Sequence, residues 1–185
     1  YSNLKFGPEV GISRKKKESV DVVEIWLSEI ERMETDLEYW KHHSSTFADI
    51  SLGDARSIPK RDYIGKVDCV ITSPPYPNEK DYSRTTRLES VILGFINTKD
   101  DLRNIKKGFI RSNSKNVYRS DNDAQYISNI GSINKLSNEI EERRLELGKT
   151  SGFEKLYASV VKQYFGGMAR HLSGLKPYLR NGASL

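Results

Sequence analysis

Apolar residues recur three or four positions apart over residues 15–43, at Val20, Val23, Leu27, Ile30, Met33, Leu37 and Trp40. This spacing predicts a long helix whose single apolar face packs into a core. A short strand is predicted over 48–52, ending at Gly53-Asp54, and Pro59 with the charged "KRDYIGK" reads as a loop or a helical turn. The next predicted strand, 67–72, is nearly continuous in apolar character through Val67, Cys69, Val70 and Ile71. Such a run suits a central parallel strand covered on both faces. It stops abruptly in Ser73-Pro74-Pro75-Tyr76.

Residues 81–96 are predicted helical, with Leu88, Val91, Ile92 and Phe95 on the inner side. Over 97–150 the composition shifts toward Asn, Ser, Lys, Arg and Asp, with a weaker helical period through Ile127, Ile130, Ile133, Leu136 and Ile140. This stretch reads as a helical insertion. A strong helical pattern returns over 153–175, interrupted by Gly166-Gly167. Two glycines inside a helix cost about 1 kcal/mol each relative to alanine, so a close packing contact or a kink is expected there. Pro177 and Asn181-Gly182 end the helix, and "ASL" reads as the entry to a strand. Strand, helical segment, strand, helices, strand is an α/β order with a mostly parallel sheet. Ligands of such sheets gather at the carboxyl ends of strands, which makes Gly53-Asp54 and Ser73-Pro74-Pro75-Tyr76 candidate site residues.

Composition narrows the class. A chain of 185 residues has the length of one ordinary domain. Its 36% hydrophobic content and mean hydropathy of −0.64 fit a polar globular chain with surface insertions. The net charge of +5 is compatible with a polyanionic partner without requiring one. The single cysteine, Cys69, excludes an internal disulfide framework and a multi-cysteine zinc site, and reads as a buried small hydrophobe in a reducing compartment. His42, His43 and His171 have no metal-ligand spacing. No run approaches the roughly 18 apolar residues of a membrane span, and the polar start carries no secretory core, so the chain is read as soluble and cytoplasmic. Both termini read as internal to a longer protein.

The chemistry of Ser73-Pro74-Pro75-Tyr76 is specific. Two prolines supply no N–H donors and fix φ, so the turn is rigid and rich in acceptors. A serine oxygen and a neighbouring carbonyl together accept both hydrogens of an amino group, and a tyrosine beside them offers a flat face. That is a receptor for a planar ring bearing –NH₂, such as an extruded nucleobase.

"TSPPY" after an apolar strand resembles motif IV of the S-adenosylmethionine-dependent DNA amino-methyltransferases, in the form more typical of the cytosine-N4 enzymes. "GDAR" upstream and "KQYFGGMARHLSGLKPYLRNGASL" downstream are similar to the DNA modification methylases, the group associated with restriction-modification. The resemblance covers residues 48–96 and 153–185. It implies a partial Rossmann-like class I methyltransferase fold spanning 1–185 as a single partial catalytic domain, with 97–150 as an insertion. It also implies a DNA partner and direct methyl transfer to an exocyclic amine, favouring cytosine N4. Ser73 and the Pro74 carbonyl would accept from the amine, Pro75 would hold the turn, and Tyr76 would stack on the base. Gly53, Asp54 and Ser73 would face the cofactor, with Asp54 accepting from its adenine amine. The family's Phe-x-Gly-x-Gly loop is absent, so this chain alone is expected to bind S-adenosylmethionine poorly and to be inactive.

Among the basic residues, Lys80, Arg84 and Arg87 follow the motif, and Lys106, Lys107 and Arg111 cluster in the insertion with Lys115, Arg119 and Tyr118. They are candidate phosphate contacts, with ion pairing to nearby acids or a solvated face as the alternative. Adenine-N6 or RNA base methylation uses the same amine chemistry. A non-catalytic nucleic-acid-binding remnant is the alternative of a different class.

Overall fold

The computed structural model describes residues 4–5, 11–12, 21–60, 62, 64–77 and 81–185. They form two compact units, 1–52 and 53–185. In the first, β1 (Leu4–Lys5) pairs antiparallel with β2 (Gly11–Ile12). Helix α1 (Val22–Tyr39) starts at Asp21, whose carboxylate accepts from the N–H groups of Val23 (2.9 Å) and Glu24 (3.1 Å). This cap satisfies two of the helix's orphan donors. The expected apolar stripe is present, but Trp26, Leu27, Met33 and Leu37 all face solvent. Among the described residues of this unit no second long element exists to cover the stripe. Residues 48–52, expected as a strand, run as irregular exposed chain outside both described strand pairs.

The second unit mixes strands and helices but is mostly helical. Strand β3 (Val67–Cys69) is shorter than the 67–72 expected and pairs in parallel with β4 (Leu179–Ser184), the strand anticipated at "ASL". Val67 faces Leu179 and Cys69 faces Ser184, so five steps on β4 oppose two on β3. Gly182, at φ 81°, lies within that irregular stretch, in a conformation that suits glycine. The Val70 N–H adds one more bond to the Ser184 carbonyl (2.9 Å). A pair of strands cannot enclose a central strand. Ile71 is accordingly 96% exposed, and Cys69, expected buried, is also exposed.

After the prolines, the single helix expected over 81–96 is two short ones, α2 (Tyr82–Thr85) and α3 (Arg87–Ile92). Within the insertion, α4 (Lys99–Lys107) begins with a capping box in which Thr98 Oγ1 accepts from the Asp101 N–H (3.1 Å) and Asp101 accepts from the Thr98 N–H (2.8 Å). Helix α5 (Gly131–Glu146) completes the helical part of the insertion. Helix α6 (Tyr157–Leu175) packs on α5 and on the 3₁₀ turn Asp123–Ile127. The core sits there, with Ile110, Ile127 and Val160 buried.

Gly166-Gly167 is the close contact the sequence anticipated. A Cβ at Gly166 would lie 2.0 Å from the Asp123 carbonyl oxygen, so only glycine lets the helix rest on that turn. The Gln163 side chain, one turn earlier, clasps the same segment: its amide donates to the Asp121 carbonyl (3.3 Å), and its oxygen accepts from the Ala124 N–H (3.2 Å). Among the described residues no helix is long and apolar enough to cross a membrane.

Candidate functional site

Gly53, Ala55, Ser73, Pro75, Tyr82, Gly108, Phe109, Ile110 and Ser112 line one cleft of about 320 Å³. That volume lies at the small end of ligand pockets, about 300–1,000 Å³. Of the candidate residues Gly53-Asp54 and Ser73-Pro74-Pro75-Tyr76, the cleft brings together Gly53, Ser73 and Pro75, while Asp54 and Pro74 are not among its described lining residues. A further lining segment, 108–112, belongs to the insertion.

Ser73 is exposed and accessible from the cleft. Pro74 and Pro75 lack N–H groups, and the first backbone donor after them, the Tyr76 N–H, is taken by Tyr82 Oη (3.3 Å). The two prolines therefore add no backbone donors of their own beside Ser73. Tyr76, named as the stacking ring, is 65% exposed and is absent from the described lining.

Gly53 leaves room: a Cβ there would meet nothing closer than Pro59, at 3.8 Å. Asp54 is largely committed. Its Oδ1 accepts from the Arg56 N–H (2.9 Å) and Nε (3.0 Å), and its Oδ2 accepts from Nη2 (2.7 Å). A carboxylate has about four acceptor positions, so one remains. Burial works to raise the Asp54 pKa, but hydrogen bonds from the Arg56 side chain and backbone, with the charges of Arg56 and Arg170, hold it below the usual carboxylate range.

Arg56, which the sequence did not mark, is the hub of this region. Its side chain is 8% exposed, and its Nη1 donates to Asp123 Oδ2 (2.7 Å), whose other oxygen accepts from Arg170 (3.1 Å). Nη2 also donates to the Lys107 carbonyl (2.7 Å). Burial pulls the Arg56 pKa down, but two carboxylates outweigh it and raise the pKa above the ordinary value. His171 closes the region, its Nδ1–H donating to the Ala55 carbonyl (2.7 Å).

The basic candidates divide. Arg111 is 3% exposed and forks onto Asp121 through two bonds of 2.8 Å, with Tyr118 beneath its guanidinium at 5.1 Å. It cannot reach a phosphate, which corrects that expectation. Lys106 is drawn into an ion pair with Asp81 (2.6 Å), the residue that also caps α2. Arg84 is half-buried and partnered. Arg87 is half-buried, with one bond to Ser83 at 3.5 Å and its Nε unpaired. Lys107, Lys115 and Arg119 are exposed. Lys80 lies outside the described residues. Among the described residues no cluster of ligating side chains could hold a metal ion.

The missed residues left little local signal. Arg56 and Asp123 are 67 positions apart, and each sits in a charged stretch that reads as solvated. Phe109 and Ser112 lie in a segment without clear periodicity. Gly166-Gly167 was the one pointer, since it announced a backbone approaching α6 without naming Asp123 as its owner. Comparison with protein-family models, with curated proteins and with solved structures returns no match.

Proposed function

We propose that this chain carries the base-binding part of an amino-methyltransferase site acting on DNA, with the exocyclic amine of cytosine as the favoured acceptor. The observation that carries the reading is the cleft that gathers Gly53, Ala55, Ser73 and Pro75, residues of the two turns that the motif resemblance singles out. Parallel pairing of β3 with β4 agrees with the sheet that the resemblance implies.

In this reading the Ser73 oxygen and the Pro74 carbonyl accept hydrogen bonds from the amine. An exocyclic amine is a weak nucleophile because its lone pair is conjugated with the ring. Acceptors placed on both hydrogens favour a pyramidal nitrogen with its lone pair freed, and a fixed turn provides that placement without reorganisation. S-adenosylmethionine, when bound, supplies an electrophilic methyl group. The residues present fit it in part: Gly53 offers open backbone, and Asp54 keeps one acceptor position for a single N–H donor. The chain has no Phe-x-Gly-x-Gly loop to add to these.

The test is methyl transfer from labelled S-adenosylmethionine to duplex DNA by the full-length gene product. Ser73→Ala should reduce the rate on the order of 100-fold, the scale of losing one transition-state hydrogen bond. An unchanged rate removes Ser73 from the chemistry.

A further inference from the structure

We infer that Phe109, contributed by the insertion, is the ring that stacks on the planar ligand of the cleft. This rests on the base-binding reading and deepens it. The ligand class is a planar heteroaromatic ring bearing an exocyclic amine, held at its edge by Ser73 and on its face by Phe109.

The argument starts from how Phe109 is mounted. It lies one residue past Gly108, just beyond the end of α4, on a turn without regular structure of its own. Such a turn would ordinarily be mobile. Here the turn and the last residues of α4 before it are tied down through their carbonyls by two buried guanidinium groups. Arg111 donates to the carbonyls of Lys106 (3.1 Å), Lys107 (3.2 Å) and Phe109. Arg56 donates to the Lys107 carbonyl from the other direction (2.7 Å). Each guanidinium is fixed in turn by a carboxylate, Arg111 by Asp121 and Arg56 by Asp54 and Asp123. Arginine does not deprotonate in the accessible pH range, so both guanidinium groups keep their charge and their donors.

The consequence for binding is entropic. Stacking on a ring whose backbone is already ordered costs little further freedom, and preorganisation of this kind raises affinity. Phe109 meets the condition and lines the cleft with its neighbours Gly108 and Ile110, the latter buried. Tyr76 does not meet it, being largely exposed and outside the described lining. Tyr82 lines the cleft too, but its hydroxyl accepts from the Tyr76 N–H, which marks it as support for the proline turn. The insertion is therefore part of the site, and its buried arginines hold a binding surface in place.

The test is titration of 2′-deoxycytidine and 2′-deoxyadenosine into the protein, followed by NMR. Phe109→Leu, which keeps most of the side-chain volume, should raise the dissociation constant about tenfold, within the range measured for losing one base–aromatic stack. Phe109→Trp should restore affinity to within about threefold, since any aromatic face serves. Tyr76→Ala should change it by no more than about threefold, its ring being largely exposed and outside the described lining. If Phe109→Leu disturbs the fold, the Trp variant decides, because a structural role would not be rescued by a larger ring. A nucleoside affinity indifferent to Phe109, or a loss confined to Tyr76→Ala, overturns the inference and leaves the base-binding reading standing. Failure of the wild-type protein to bind either nucleoside overturns both.

Discussion

Gly166→Ala and Gly167→Ala are chemically the same change at adjacent positions of one helix, and the structure assigns them different outcomes. In a helix interior the substitution alone gains about 1 kcal/mol, because alanine loses less backbone entropy on folding. At Gly166 the new Cβ would stand 2.0 Å from the Asp123 carbonyl oxygen, 2.3 Å from its carbon and 2.8 Å from the Ala124 nitrogen. All three are backbone atoms, so no rotamer change relieves the clash. Helix and turn must separate, which strains the Gln163 clasp and the Arg56–Asp123 bond along with the packing. Overpacking of this kind costs about 1–3 kcal/mol and sometimes more. With the hydrogen bonds included, a net loss of about 2 kcal/mol or more is expected after the propensity gain is subtracted. At Gly167 the nearest atoms are Ile110 Cγ2 (3.4 Å), Arg56 Cδ (3.5 Å) and Asp123 Oδ2 (3.6 Å), all on side chains. The two terms then nearly cancel, and the change should lie within about 1 kcal/mol of zero. Urea denaturation followed by circular dichroism measures both variants. A Gly166→Ala protein as stable as wild type, or less perturbed than Gly167→Ala, refutes the packing described for α6.

Arg56→Met should destabilise the protein by about 2 kcal/mol or more, since it takes the side-chain partner from Asp54 and leaves the buried Asp123 carboxylate with Arg170 alone, and denaturant midpoints at neutral pH will show it. Asp54 and Asp81 supply an acid dependence: burial pushes both pKa values up, but hydrogen bonds and charge from Arg56, and from Lys106 with Ser83, bring both below their usual 3.8. A carboxylate depressed in the folded state stabilises fully above its unfolded value and loses that contribution as pH falls through the folded one. Stability should therefore decline below about pH 4, and Asp81→Asn should flatten part of that decline in acid titrations. Cys69 is exposed, so one equivalent of a thiol reagent should react in native buffer without denaturant; labelling only on unfolding would contradict the strand geometry.

The sequence conveyed element types better than their burial. Helical periodicity located α1 and α6, and the glycine pair announced a close approach, because these signals are local. The 67–72 run read as a doubly covered strand since its residues are apolar. Coverage depends on partners elsewhere in the chain, and here β3 has one neighbour. Ser73 and Gly53 share the cleft, although neither ends a strand: 48–52 is irregular chain and β3 stops at Cys69. Arg56, Asp123 and Phe109 were not legible, because their roles arise from contacts across dozens of residues. The same applies to Arg111, whose charge in a polar segment reads as a phosphate contact although Asp121, ten residues on, holds it.

The central claim is tested most directly by mass spectrometry of nucleosides from the DNA of cells expressing the complete gene, compared with cells expressing its Ser73→Ala form. The account predicts N4-methylcytosine with the wild-type gene and its near disappearance with the variant. Equal levels of every methylated nucleoside in the two samples would contradict it.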